Sequence, residues 1–429
     1  MKFSVPSLTR RDLLTSAVTV GAAVSLNPLI KPALAIDDKA TPLGKKGKAY
    51  PDERRKYTDS KSGKTVWQLT RTPAGRKSSY SYYNVPKTTP DGRWAVYTTD
   101  RWNGSPKSLD LFKMDLRTGE SVQLTESGDV ETSDNVTLSS DGKEVFFFDQ
   151  AKNLRVVDME DFKERTIATL PANAEAPLHN SALRHDSKVL LTARPLEPPV
   201  LYTYCSSWAR HHALIAIQTD TGEMHNLVEG QFPIGINEFN PANGEEIMWD
   251  IHGAWETVHR PWIIKADGTG NRAVMQTIKG EGSGHQFFGW SGKSVFSVFN
   301  GGRYPQGLWG ADLDGSNERC VCSGGTHAHA CVSPEEDRFI IDERYGQTNH
   351  LWMAKKGSHT PEILVQTVPW FELQEGQKGV AGGEEARAVN RVIAASGVHP
   401  HSRFLPDGTK VAYSNKAPDG GGDIWIVEV

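Results

Sequence analysis

The sequence predicts an all-β protein built as a seven-bladed β-propeller. Three observations lead there. A turn of the form Ser/Thr-Pro-Asp-Gly returns seven times, a short apolar strand follows each copy, and no long amphipathic helix interrupts the series. The copies begin at Thr89-Pro90-Asp91-Gly92, Ser139-Ser140-Asp141-Gly142, Arg184-His185-Asp186-Ser187 and Asn240-Pro241-Ala242-Asn243-Gly244. Three more follow at Gly289-Trp290-Ser291-Gly292, Ser333-Pro334-Glu335-Glu336 and Leu405-Pro406-Asp407-Gly408. Most spacings are about 45 to 60 residues, the length of a four-stranded blade. The last gap is longer, so residues 371–395 read as an insertion.

The strand after each turn is apolar and rich in β-branched or aromatic residues, as in Val145-Phe146-Phe147-Phe148 and Val295-Phe296-Ser297-Val298. A second hairpin turn follows in several repeats, at Asp220-Thr221-Gly222 and Ala266-Asp267-Gly268 among others. Ring closure is also legible. Lys64–Leu69 reads as a strand ahead of the first repeat and Asp423–Val429 as one after the last. Pairing them in one blade would protect two sheet edges. The propeller domain is therefore expected over residues 63–429.

Forty glycines, twenty-four prolines and twelve tryptophans among 429 residues suit a turn-rich β protein. The net charge of −4 carries no basic excess, so neither nucleic acid nor an anionic membrane is an expected partner. Residues 1–35 read as a twin-arginine-type signal peptide. Thr9-Arg10-Arg11-Asp12-Leu13-Leu14 leads, a mildly apolar stretch to Ile30 follows, and Ala33-Leu34-Ala35 is a small-residue cleavage pattern. The interrupted apolar stretch is a poor membrane span. The mature chain is expected to begin near Ile36, in the periplasm or outside the cell, free of the membrane, with residues 36–62 as a polar linker. That compartment permits disulfides. Cys320 and Cys322 stand too close to bridge easily, while Cys331 with either remains open, and Cys205 stands apart.

The chain has no Gly-x-Ser-x-Gly elbow, His-Glu-x-x-His helix, Walker loop or dinucleotide fingerprint. Its chemistry is concentrated in histidines placed just before the turns of the later repeats. These are His285 in Gly284-His285-Gln286-Phe287-Phe288, His327 and His329 in Thr326–Ala330, and His399 and His401 in His399-Pro400-His401. The strand entering such a turn is the innermost of a blade, so equivalent positions on neighbouring blades converge on the axis. A His-x-His pair on a strand places both imidazoles on one face. Three or four imidazoles gathered this way make a divalent-metal site. His179 also precedes a turn, so it could line the channel, but it stands alone in its blade and a structural role is the first expectation; His350 lies elsewhere in its repeat and is expected to be surface or structural.

At these residues the chain resembles the oligogalacturonate lyases, from about Gln68 to Val429. Arg260-Pro261-Trp262 running into Asp267-Gly268-Thr269 is similar to that family's Arg-x-Trp segment. Gly284–Phe288 resembles its Thr-His-Glu-Phe-Trp, 25 residues on from the arginine, and His399-Pro400-His401 matches its His-Pro-His. The resemblance implies a lyase that cleaves an acidic oligosaccharide by β-elimination. It implies Arg260 as the group binding the substrate carboxylate, His285 as the base, and Mn²⁺ held by His329, His399 and His401, with His327 as the alternative to His329. Two positions depart from the family. Ser396 stands where a glutamine ligand is expected, so either water, Gln347 or Asn390 would complete the shell, or the choice of metal differs. Ser79–Tyr83 replaces an early His-Arg pair.

β-Elimination on a uronate removes the C5 proton beside a carboxylate that already carries charge. A metal and an arginine neutralise that carboxylate, the planar guanidinium fork suits it, and a neutral histidine takes the proton. The leaving oxygen is protonated by water or by a tyrosine, with Tyr82 and Tyr83 as the candidates. Trp255, Trp262 and Trp290 are either core residues or sugar platforms. The competing readings are a lyase for a different acidic polysaccharide and a non-catalytic periplasmic binding or scaffold propeller like the repeat domain of the Tol system.

Overall fold

A computed structural model describes residues 45–429 apart from Ser81 and residues 103–107, 172–179, 197–210, 253–257, 278–280, 300–304, 324–326, 344–349, 359, 368–397 and 418–420. The signal segment, Cys205, His179, Gln347, Asn390, Ser396, Trp255 and the expected insertion lie outside the described residues. Those described form seven antiparallel sheets, the seven blades of a β-propeller, with one short 3₁₀ turn at Ser133–Asn135. No described helix is long and apolar enough to cross a membrane.

Blades two to six each use four consecutive strands. Blade five runs Ser283–Phe288, Ser294–Phe299, Gly307–Asp312 and Arg319–Ser323. The first strands of successive blades touch one another, which identifies them as the lining of the axis. Apolar runs fill both faces because each sheet is covered by a neighbour on either side. In blade two, Val145 and Phe147 pack towards blade one, while Phe146 and Phe148 pack towards blade three. Side chains alternate with period two, so one run of four apolar residues feeds two interfaces.

The seven turns share one conformation. The closing residue has positive φ in each: Gly92, Gly142, Ser187, Gly244, Gly292, Glu336 and Gly408, between 55° and 74°. Glycine supplies that conformation without a Cβ penalty, and it stands at five of the seven. The turns also nest around the ring. A Cβ on Gly142 would lie 2.8 Å from Thr89 Cγ2 of the preceding blade. Asn240 Nδ2 donates to the Gly292 carbonyl at 2.9 Å.

Closure follows the expected pairing and extends it. Thr65–Gln68 pairs with Gly422–Glu428 in blade seven. Arg55–Thr58 then adds an outer strand to that sheet, and Ala49–Tyr50 adds one to blade one. Both segments fall within the expected linker 36–62, so the sheet structure starts earlier than residue 63. They read as linker because Arg55–Thr58 is an outer edge strand, largely exposed, and carries no apolar alternation. Cys320, Cys322 and Cys331 are free thiols.

Candidate metal centre in the channel

Strand register places the histidines on the axis. Phe288, Val332 and Phe404 are equivalent, each pairing with the first apolar residue of the next strand: Val295, Phe339 and Val411. His285, His329 and His401 each stand three residues before that point, so three successive blades present an imidazole at one level. The strand geometry there is not regular. Pairing shifts between Gly284 and Phe287 and between His327 and Ala330, the mark of a bulge. His285 and His401 adopt φ of 51° and 43°. Such backbone is disfavoured for a side chain with a Cβ, and it turns these rings out of the normal alternation.

The four rings form a cluster. Centroids lie 4.2 Å apart for His285 and His329, 4.5 Å for His329 and His401, and 5.0 Å for His399 and His401. One ring nitrogen from each of His329, His399 and His401 lies within 4.8 Å of the other two. Burial, reinforced by the charges of His401 and His329, holds His399 well below the usual imidazole range and hence neutral. Neutral imidazoles are the form that ligates a metal. His329 is buried, and its Nδ1 lies 3.0 Å from Asp342 Oδ2. An imidazole tied by one nitrogen to a carboxylate offers the other to a metal. These residues therefore fit a divalent ion, with three protein nitrogens and coordination positions left for water or substrate. His327 begins the same strand, but its side chain is not among those described. His350 packs on Trp352 at 5.6 Å, away from this group.

Arg260 comes to the same region from behind. It is 1 % exposed, pairs with the fully buried Asp250, and donates from Nη1 to the Ser283 carbonyl at 3.1 Å. A Cβ on Gly284 would lie 3.6 Å from that nitrogen, so the guanidinium sits in the channel wall directly behind the His285 strand. Tyr83 is fully buried and donates its hydroxyl to the Gln286 carbonyl at 2.8 Å, an architectural role. The Tyr82 ring lies 4.8 Å from His401, and burial raises its phenol, which stays protonated. Trp262 packs 5.6 Å from Trp249 within blade four, and Trp290 donates to the Val332 carbonyl under the Arg403 guanidinium. Both are accounted for by packing.

The sequence reading missed Asp250 and Asp342. They are equivalent by register: each stands three residues past the start of pairing in the second strand, in blades four and six. Each ends an apolar run, Ile247-Met248-Trp249-Asp250 and Phe339-Ile340-Ile341-Asp342, six residues after the positive-φ turn residue. That offset was the available signal. Also unforeseen was Asp134 on the 3₁₀ turn of blade two. Its carboxyl is raised by burial and opposed by Lys77, His399 and Lys87.

No family model matches the chain. It is 24 % identical to the oligogalacturonate lyase of Dickeya dadantii (strain 3937) over 90 % of its length and 98 % of that protein. It is 23 % identical to the oligogalacturonide lyase of Pectobacterium atrosepticum over the same shares. Among solved structures, oligogalacturonate lyase from Vibrio parahaemolyticus superposes with a TM-score of 0.76 at 19 % identity, covering 90 % of this chain and 99 % of that one. An oligogalacturonate lyase in complex with manganese superposes equally, 0.76 at 20 % identity, covering 90 % and 98 %. At these identities the structural likeness speaks for the fold.

Proposed function

We propose that this distant member of the oligogalacturonate lyase family cleaves oligogalacturonate, or a related uronic-acid oligosaccharide, by β-elimination assisted by a divalent metal, manganese, giving 4,5-unsaturated uronate products. The supporting observation is the convergence of His329, His399 and His401 within metal-binding distance, with His285 beside them.

His329, His399 and His401 would hold the ion, which when bound would neutralise the substrate carboxylate as a Lewis acid. Arg260, the partner of the substrate carboxylate that the resemblance implies, stands in the wall behind His285 with its charge shared with Asp250. Its own pairing with Asp250 keeps the guanidinium in place rather than free to swing. His285 takes the proton; an imidazole suits this because its ordinary titration lies near neutrality. Its bulged backbone fixes the ring's direction before substrate arrives. Tyr82, protonated and against His401, is the group assigned to donate to the departing O4.

The test is an ultraviolet assay of the purified protein on digalacturonate and trigalacturonate, with and without Mn²⁺. Elimination creates a conjugated unsaturated uronate that absorbs where the substrate does not. The reading predicts a metal-dependent rise. A rise confined to another uronate oligomer would move the substrate, in keeping with the replaced residues Ser79–Tyr83. No rise on any uronate oligomer would contradict the reading.

A further inference from the structure

Asp342 connects the two blades that carry the metal-binding histidines. It lies on the second strand of blade six and is fully buried. Its Oδ1 accepts the backbone N–H of His329 at 2.6 Å, and both its oxygens face His329 Nδ1, at 3.2 and 3.0 Å. The backbone N–H of His401, from blade seven, also donates to it. A carboxylate that receives two backbone donors acts as an acceptor, so the proton on the shared bond belongs to His329 Nδ1. That tautomer leaves the Nε2 lone pair of His329 for the cluster.

We infer that Asp342 is a positioning residue for the metal centre: it sets the tautomer and direction of His329 and the backbone carrying His401, and so joins ligands from two blades into one site. The inference rests on the metal reading above and deepens it. Asp250 supplies an internal control. It occupies the equivalent position in blade four, is equally buried, and also receives a backbone N–H, that of Gly235 at 3.1 Å. Its other partner is Arg260 rather than a ligand.

The experiment is calorimetric titration of the metal-free full chain with Mn²⁺, in wild type, Asp342→Asn and Asp250→Asn, with circular dichroism to check folding. Asp342→Asn is expected to weaken Mn²⁺ binding by about 10- to 100-fold, while Asp250→Asn leaves it within about 2-fold. Equal weakening by both, or none by Asp342→Asn, overturns the inference while the metal reading stands. A second measurement needs no folded aspartate variant. Histidine-labelled wild type, with the His329 signals assigned by their loss in His329→Gln, reports the tautomer by long-range nitrogen–proton correlations. A proton on Nδ1 in the metal-free protein is expected; a proton on Nε2 alone overturns the inference. Wild type that binds no Mn²⁺ removes the metal reading, and the metal-centre role of Asp342 falls with it.

Discussion

Backbone strain and chemistry coincide at His285 and His401, whose positive φ lies in a region that side chains with a Cβ rarely adopt. The residue types that carry the chemistry were legible in the sequence because imidazoles recur at one offset before a turn. The carboxylates behind the site were not, because Asp342, which holds His329, and Asp250, which holds Arg260, end apolar runs that look ordinary. Burial also controls a histidine outside the metal cluster. His252, beside Asp250 at 3.8 Å, is pushed down to about 4 by desolvation. The unfolded chain therefore binds a proton near pH 6.5 that the folded chain refuses until about 4. The native state keeps this contribution above 6.5 and loses it as pH falls towards 4, by at most ~3 kcal/mol. Denaturant unfolding at pH 7 and pH 5 should show a smaller acid-induced loss in His252→Gln than in wild type. An identical loss in both would mean that other groups govern acid stability.

At the scale of the element, turns and bulges divide the work. The turns were read directly, since Pro, Asp and Gly name their own conformation. Their nesting against the preceding blade was not, because it depends on which side chains the ring brings together. Gly142 shows both requirements: φ of 74° and a neighbour at 2.8 Å from any added Cβ. Gly142→Ala is expected to lower stability by about 1–2 kcal/mol from the backbone alone, read as a lower denaturant midpoint with unchanged slope. An unchanged midpoint would show that neither the backbone conformation nor the close neighbour at Gly142 matters to stability. The bulges at His285 and His329 were invisible in sequence, being properties of pairing rather than composition. The edge strands Ala49–Tyr50 and Arg55–Thr58 were missed because strands at a blade's rim need no apolar alternation.

The whole molecule explains why ligands 72 positions apart, His329 and His401, can share a metal. A closed ring places the first strand of every blade on one axis, so His285, His329 and His401 meet although each belongs to a different blade. Closure by Thr65–Gln68 against Gly422–Glu428 locks that convergence. Seven turn copies and two terminal strands made this architecture legible, while the irregular stretches between blades offered no pattern from which their course could be read. The ring also separates the roles assigned to its histidines, with ligands on blades six and seven and the base on blade five. The most direct test is to measure bound manganese and elimination rate on the same preparation of His285→Ala, beside His399→Ala. The account predicts that His285→Ala keeps its metal and loses activity by at least about 100-fold, and that His399→Ala loses both. Loss of metal in His285→Ala, or full activity in either variant, would contradict it.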